Sequence, residues 1–153
     1  MATAGVISDT HGWLRDEAVA ALQGCEMILH AGDIGKPEIL ERLQEIAPVM
    51  AVRGNVDEGA WARELPLRRI VQVGDARVLL LHDVARLRID PEAEGLQAVV
   101  FGHSHRPLVE ERNGVLFLNP GAAGPRRFTL PVSVALLNWA DRLSAELVTL
   151  PGV

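Results

Sequence analysis

Cysteine and aromatic residues are scarce in this sequence of 153 residues, and basic residues do not outnumber acidic ones. The single Cys25 excludes an intrachain disulfide and is typical of a reducing cytoplasm, which is the expected location. Aromatic residues make up 4% of the chain, so an aliphatic core is predicted. The net charge of −5 argues against a protein that mainly binds nucleic acid, because no basic excess can displace counterions.

Long apolar runs, repeats and low-complexity segments are also absent. No apolar run approaches the roughly 20 residues that a membrane-spanning helix needs, so no membrane association is expected. The first residues, Met1 to Ala4, have neither the basic region nor the apolar stretch of a signal peptide. No linker divides the chain, so we expect one domain over residues 1–153 with a sizeable core. A homo-oligomer remains an open possibility.

The first third of the chain alternates between predicted strands and helices. The predicted elements are strand Ala4–Ser8, helix Asp16–Gln23, strand Met27–His30, helix Pro37–Ile46 and strand Val49–Val52. Apolar residues recur at helical spacing in both helices. A β-α-β-α-β series implies parallel strands with helices packed on the sheet.

The pattern of the remaining chain predicts mainly strands. They are predicted at Arg69–Val73, Arg77–Leu81, Ala98–Phe101, Leu108–Arg112, Val115–Leu118, Val132–Asn138 and Leu143–Leu150. Asn113-Gly114 is the pair that a type I′ hairpin turn favours, and Pro91–Leu96 allows one helical turn at most. The pattern predicts an α/β domain with two sheets face to face and helices outside at least one of them.

Side chains that can bind metal ions follow five of the predicted strands. They are Asp9 and His11 after the first strand, Asp33 after the second, Asn55 after the third, His82 after the hairpin, and His103 and His105 after Ala98–Phe101. Neighbouring glycines let the backbone turn sharply and leave room at each strand end. Because open α/β sheets bind ligands at the carboxyl ends of their strands, we expect these seven donors to converge on one centre.

Carboxylates and neutral imidazoles both bind divalent metal ions near neutral pH. Seven donors are enough for two ions, with Asp33 as the preferred bridging carboxylate and Asn55 as an uncharged oxygen donor. Two ions about 3.5–4 Å apart can generate a bridging hydroxide and stabilise the attacking and leaving oxygens of a phosphoester. The mixed nitrogen and oxygen donors favour manganese, with nickel, iron, zinc or cobalt as alternatives, and suit calcium poorly.

These motifs resemble those of the calcineurin-like metallophosphoesterase superfamily. The resemblance rests on Asp9-x-His11, Gly32-Asp33, Gly54-Asn55, His82 and Gly102-His103-x-His105. The short length, the Asn55-Val56-Asp57 form and Asn119-Pro120-Gly121 are similar to its small prokaryotic phosphodiesterase branch, which also resembles the retromer scaffold subunit of eukaryotes. The resemblance implies a four-layer α-β-β-α sandwich with two mixed sheets, and a hydrolase acting on a small phosphodiester or other phosphoester.

The resemblance also divides the donors between two metal ions. It implies Asp9, His11, Asp33 and His105 at one ion, and Asp33, Asn55, His82 and His103 at the other. On this basis we assign Asp33, Asn55 and His103 to catalysis as well as to metal binding. An activated aryl phosphodiester should therefore be cleaved in the presence of manganese or nickel.

Three positions depart from the pattern that the resemblance implies. Val56 replaces the histidine that many relatives have after the motif asparagine, so substrates with good leaving groups are favoured. Asp83 replaces a common glycine and could orient His82 or crowd the metal ion. The Val84–Gly95 segment is shorter than the helix usual in relatives, so one wall of the site is expected to be open.

Two other functions fit the same fold. A binding scaffold that has lost turnover is suggested by Val56 and Asp83, and a phosphomonoesterase would use the same donors. Outside the predicted donors, Asp57 is read as a residue that stabilises its loop by hydrogen bonds, and His30 as a residue packed beneath the site. Arg53 and Arg106 could guide a phosphate towards the metal ions or could simply be solvated.

Overall fold

The computed structural model describes residues 2–152, so Met1 and Val153 of the predicted domain lie outside the described residues. The strands are β1 (Ala2–Ile7), β2 (Met27–His30), β3 (Val49–Ala51), β4 (Arg68–Val73), β5 (Ala76–Leu81), β6 (Ala98–Val100), β7 (Leu108–Arg112), β8 (Val115–Asn119), β9 (Ser133–Trp139) and β10 (Leu143–Thr149). The helices are α1 (Asp16–Ala21), α2 (Pro37–Gln44), α3 (Ala60–Arg63) and a 3-10 helix at Val84–Arg86. In the described part of the chain, no helix has the length and apolar character needed to cross a bilayer.

The first sheet has the strand order β10-β9-β1-β2-β3. Strands β1, β2 and β3 are parallel, as the β-α-β-α-β series predicts, whereas β9 is antiparallel to β1. In register, Ile7 pairs with His30, and His30 pairs with Ala51. The carboxyl ends of the three parallel strands therefore lie side by side at one edge of this sheet.

The second sheet repeats this arrangement with different connections. Its order is β4-β5-β6-β8-β7, with β5, β6 and β8 parallel and with β4 and β7 as antiparallel edge strands. Leu80 pairs with Val100, and Val100 pairs with Leu118. Three further carboxyl ends thus lie together, and both sheets are mixed.

Apolar side chains alternate between the two faces of each strand, as the period of a strand requires. Fully buried residues such as Val6 and Leu80 form the layer between the sheets. On the outer face of the first sheet, Ile7 and Ile28 pack with Leu22 and Leu43, which follow or belong to the helices. Burial of each such side chain stabilises the fold by about 1.5–3 kcal/mol.

The outer face of the second sheet is covered differently. Leu79 and Phe117 on this face pack with Val84, Leu87 and neighbouring apolar residues of the segment after β5. This segment contains the 3-10 helix and turns rather than an α-helix. The predicted sandwich with two mixed sheets is confirmed, and its fourth layer is a short irregular segment.

The differences from the predicted elements lie in short segments. The helix predicted to reach Ile46 ends at Gln44, because the last turn tightens to an i→i+3 bond from Ile46 N to Leu43 O of 2.9 Å. The helix α3 was not predicted, since four residues are too few to show helical periodicity. Strands Met27–His30 and Leu108–Arg112 match their predicted bounds, and the other strands differ from theirs by at most two residues at either end.

We expect Leu80→Ala to lower the free energy of unfolding by about 2–5 kcal/mol, because Leu80 is fully buried between the sheets and its loss leaves a cavity. Leu147→Ala is the matched control, since Leu147 is 37% exposed on the edge strand β10. Urea unfolding measures both. Equal destabilisation by the two substitutions would contradict the assignment of the core.

Candidate metal centre

The carboxyl-end loops of the two sheets meet and are joined by hydrogen bonds. Ala31 O, in the loop after β2, accepts a hydrogen bond from His82 Nδ1 of the other sheet at 2.8 Å. The backbone N–H of His103 donates to Asp9 Oδ2 across the same junction at 3.1 Å. The loops at the carboxyl ends of the parallel strands in both sheets therefore lie close together.

The first cluster contains Asp9, His11 and His105. Oδ2 of Asp9 accepts hydrogen bonds from Ser8 Oγ at 2.6 Å and from His103 N at 3.1 Å. Its other oxygen, Oδ1, lies 3.6 Å from His11 Nε2 and 3.4 Å from His105 Nε2. The fully buried carboxylate is thus held through one oxygen and presents the other to two imidazole nitrogens.

The second cluster contains Asp33, His82 and His103, and it has the same design. Oδ1 of Asp33 accepts a hydrogen bond from Val56 N at 3.0 Å, and Oδ2 lies 3.1 Å from His82 Nε2. Nδ1 of His82 must carry the proton that it donates to Ala31 O, because a carbonyl only accepts. His82 Nε2 therefore faces Asp33 Oδ2 and His103 Nδ1, the latter at 3.3 Å.

Asp33 lies between the two clusters. Its Oδ2 is 3.7 Å from His11 Nε2, a member of the first cluster, as well as 3.1 Å from His82 Nε2 of the second. Asp33 is therefore near a histidine of each cluster, and its role as a bridging ligand stays a prediction. The two histidines that are one residue apart are divided between the clusters, with His105 in the first and His103 in the second.

Backbone strain is concentrated at the predicted ligands. Five of the seven non-glycine residues with positive φ in the described part of the chain are predicted ligands: Asp9, His11, Asp33, His103 and His105, with φ between 47° and 71°. A left-handed conformation costs an L-residue about 1–2 kcal/mol. Such conformations are typical of functional sites, where the surrounding structure enforces them.

The motif glycines allow the loops to approach one another. A Cβ at Gly102 would overlap Ser8 Oγ and lie 2.6 Å from Asp9 Oδ2. A Cβ at Gly54 would overlap both the backbone N and Oδ1 of Asp33. Glycine at these two positions is therefore required by close packing against the carboxylates.

The electrostatics of the clusters favour a cation. Burial alone opposes ionisation of Asp9, but contacts with His105, His11 and Ser8 outweigh it and hold the pKa of Asp9 far below its usual range. Asp33 behaves likewise: burial raises its pKa, and the larger combined effect of His82 and Val56 N lowers it. The contact with Asp9 raises the pKa of His11. Two ionised carboxylates thus create a negative potential at this place.

The donor atoms fit divalent metal ions. In each cluster, three ligand atoms lie within 4.8 Å of one another. Asp9 Oδ1 and His11 Nε2 are buried and have no hydrogen-bond partner in the described structure, an arrangement that is costly unless something else satisfies these atoms. A mixed set of carboxylate oxygens and imidazole nitrogens suits manganese, iron, cobalt, nickel or zinc.

Asn55 borders the cavity beside the second cluster. It is exposed on the loop after β3, and its side chain makes no hydrogen bond in the described structure. It lines the same cavity as His82 and His103. Its role as a metal ligand stays a prediction.

Asp83 does not orient His82, because the two ring nitrogens of that histidine contact Ala31 O and Asp33 Oδ2 instead. Its Oδ1 instead accepts a hydrogen bond from Ala85 N and begins the 3-10 helix. Its Oδ2 lies 4.0 Å from His103 Nε2. Asp83 therefore belongs to the wall beside the second cluster.

Two supporting residues were missed by sequence reasoning. Asn119 Nδ2 donates to Gly102 O at 3.1 Å and to Ser104 Oγ at 3.2 Å, so it holds the loop that carries His103 and His105. Ser8 orients Asp9. The one visible signal was the position of Asn119 before Pro120-Gly121, at the end of a strand.

The structural readings of Asp57 and His30 are confirmed. Asp57 accepts hydrogen bonds from Gly35 N and Gly54 N, both at 2.9 Å, and thereby joins the loops after β2 and β3. His30 is fully buried, with Nδ1 accepting from Gly32 N at 3.1 Å and with Nε2 3.1 Å from Thr10 Oγ1. Both residues therefore stabilise the ligand loops through hydrogen bonds.

We expect Gly102→Ala to weaken metal binding about tenfold or more, because the new Cβ displaces Ser8 and Asp9. Titration of the metal-free protein with Mn²⁺ measures the affinity. Gly114→Ala is the control, since Gly114 has positive φ but open space around its Cβ position, so stability changes without contact with the site. Unchanged affinity in Gly102→Ala would contradict the packing argument.

Burial lowers the pKa of His30 to about 4, whereas an exposed histidine titrates near 6.5. Between these values the unfolded chain binds the proton and the folded chain does not. The stability from neutral His30 is therefore fully present above pH 6.5 and decreases as the pH falls to 4, by about 3 kcal/mol.

Urea unfolding of metal-free protein at several pH values tests this against His30→Gln. The advantage of the wild type over the variant should shrink towards pH 4. A difference that does not depend on pH would refute the neutral buried state of His30.

The chain is similar to known proteins in sequence and in fold. Residues 3–142 match the model of the calcineurin-like phosphoesterase superfamily domain. A protein named "probable metallophosphoesterase" from Methanothermobacter thermautotrophicus is 34% identical over 156 residues, which cover 94% of this chain and 90% of that protein.

Two solved structures share the fold. An archaeal phosphodiesterase superposes with a TM-score of 0.82 at 21% identity, covering 97% of this chain and 99% of that one. Vps29 of Entamoeba histolytica in complex with Zn²⁺ superposes with a TM-score of 0.76 at 22% identity, covering 96% of this chain and 98% of that one. The family match and the curated relative together establish that the chain belongs to the calcineurin-like phosphoesterase superfamily.

Proposed function

We propose that this chain is a phosphodiesterase that uses two divalent metal ions. The observation that carries the proposal is the pair of adjacent clusters, each with one carboxylate oxygen turned towards imidazole nitrogens. Two metal ions bound there would activate a water molecule as the nucleophile and stabilise negative charge on the phosphoryl oxygens. The archaeal structural neighbour named as a phosphodiesterase supports this substrate class by analogy of fold.

The proposed ligands are divided between the two ions. Asp9, His11, Asp33 and His105 would hold one ion, and Asp33, Asn55, His82 and His103 would hold the other. Hydrogen bonds to Ser8, His103 N and Val56 N fix the two carboxylates, so their free oxygens need not reorganise when an ion binds. Asp33 would serve both ions, because its Oδ2 lies near a histidine of each cluster.

Substrate contact is assigned to the exposed members of the site. His103 has a side chain that is 48% exposed and faces the cavity beside the second cluster, where Asn55 also lies. We assign to these two residues hydrogen bonds to the phosphoryl oxygens. Val56 offers no proton to the leaving group, so esters of acidic alcohols or phenols should react fastest.

Manganese is the preferred ion in this proposal, and nickel, iron, zinc and cobalt are alternatives. The donor set alone supports this range, since each cluster combines a carboxylate with two imidazoles. Metal analysis of the purified protein, before and after chelation, identifies the ion and its stoichiometry.

The test is hydrolysis of bis(p-nitrophenyl) phosphate by protein loaded with Mn²⁺. Asp33→Asn should lower kcat/KM by about 100-fold or more, because it removes the negative charge that both clusters share. Chelation of the metal should abolish activity, and addition of Mn²⁺ should restore it. Full activity in Asp33→Asn would overturn the proposal.

Asp141→Asn is the matched control, since this exposed residue lies in the β9–β10 turn. Trp139 at the end of β9 pairs with Ala2, the first residue of β1. The turn therefore lies at the amino end of β1, whereas the site lies at its carboxyl end. The same loaded protein assayed with p-nitrophenyl phosphate separates diesterase from monoesterase activity. Two bound ions without turnover of either substrate would favour the scaffold alternative.

A further inference from the structure

A cavity of about 750 Å³ opens beside the second cluster. His82, His103 and Asn55 form the wall next to the candidate metal centre. The other walls come from residues after β3, at the start of β4 and after β5. The volume is within the range of small-molecule sites. The first cluster does not border this cavity, so the cavity extends from one side of the centre only.

Four arginines line the cavity: Arg53, Arg68, Arg86 and Arg88. Asp83 is the one carboxylate among the described residues of its lining. The chain as a whole carries a net charge of −5, so this cavity concentrates positive charge on an otherwise acidic protein. Such a concentration inside a concave wall attracts anions from solution.

Among residues 2–152, two of these arginines have no partner for their side chains, whereas the other two do. Arg86 lies 3.9 Å from Asp83, and Arg88 donates to two backbone carbonyls. In contrast, the side chains of Arg53 and Arg68 form no hydrogen bond or ion pair in the described structure. Their guanidinium groups therefore remain available to an anionic ligand.

The backbone fixes both free arginines beside the candidate metal centre. Arg53 precedes Gly54-Asn55, and its N–H donates to Pro66 O at 2.9 Å. Arg68 pairs in register with Leu81, the neighbour of His82. Leu67 and Leu81 add apolar surface to the same wall. The cavity thus combines two free guanidinium groups with an apolar patch, next to the place where the scissile phosphate is expected.

We propose that Arg53 and Arg68 bind a second phosphate group of the substrate. This inference rests on the proposed phosphodiesterase activity, since it identifies the occupant of the cavity as part of the substrate. Guanidinium groups bind phosphate oxygens through charged, often bidentate hydrogen bonds. The apolar wall suits a nucleoside-sized spacer between the two phosphates. The substrate class is therefore a phosphodiester of nucleotide size that carries an additional phosphate.

The test compares two substrates with the same scissile bond. They are the p-nitrophenyl ester of thymidine 5′-phosphate and the same ester with a further phosphate on the 3′ oxygen. Water attacks the 5′ phosphorus, p-nitrophenolate leaves, and the nucleoside phosphate is the other product. We expect the 3′-phosphate to raise kcat/KM about tenfold in protein loaded with Mn²⁺.

The ratio of kcat/KM between these substrates is the readout for the variants. Arg53→Gln/Arg68→Gln should reduce the ratio to about one. Arg69→Gln should retain it, because Arg69 is the next residue of β4, its side chain points to the opposite face of the strand, and it does not line the cavity. Equal turnover of both substrates by the wild type, or an unchanged ratio in the double variant, would overturn the inference and leave the phosphodiesterase intact.

If the protein hydrolyses neither substrate, a measurement of ligand affinity still tests the proposed second phosphate site separately from the proposed phosphodiesterase activity. Calorimetric titration of the Mn²⁺-loaded protein with thymidine 3′,5′-bisphosphate and with thymidine 5′-phosphate measures the preference directly. A preference of about tenfold for the bisphosphate that is lost in the double variant supports the anion site even without hydrolysis. Equal affinities for the two ligands would refute it, whatever the activity.

Discussion

Hydrogen bonds that hold one oxygen of a buried carboxylate and leave the other facing imidazole nitrogens are the feature on which the site depends. Ser8 and the backbone of His103 hold Asp9 in this way, and the backbone of Val56 holds Asp33. The donors to Asp9 come from both sheets, so its orientation depends on the packing of one sheet on the other. Asp33 and Val56 both follow strands of the first sheet. Folding has already ordered the two carboxylate side chains, so metal binding does not have to offset the entropic cost of ordering them.

The two sheets explain how one short chain can present so many donors. Each contributes three parallel strands, and the loops at their carboxyl ends face one another. Strained backbone at residues such as Asp9 and His105 turns the side chains inwards within a few residues of the strand ends. The layer of aliphatic residues between the sheets offsets this local cost. Stability and ligand geometry are thus supplied by different parts of the molecule.

Much of this arrangement could be predicted from the sequence, because strongly periodic segments and strand-end motifs are local signals. The parallel order of β1, β2 and β3 followed from alternating strands and helices. The role of Asn119 could not be predicted, since its partners Gly102 and Ser104 are fixed by tertiary packing. The short α3 and the 3-10 helix have too few residues for a periodic pattern. The exposed position of Asn55 likewise depends on how its loop leaves β3.

The hydrogen bond from His103 N to Asp9 Oδ2 joins residues that are 94 positions apart. No fragment that stops before β6 can therefore assemble the first cluster, and neither sheet alone contains a complete set of donors. The metal content of a purified sample would therefore also report how much of the protein is correctly folded. Molecules in which either sheet is truncated, cleaved or misfolded would bind fewer ions than intact ones.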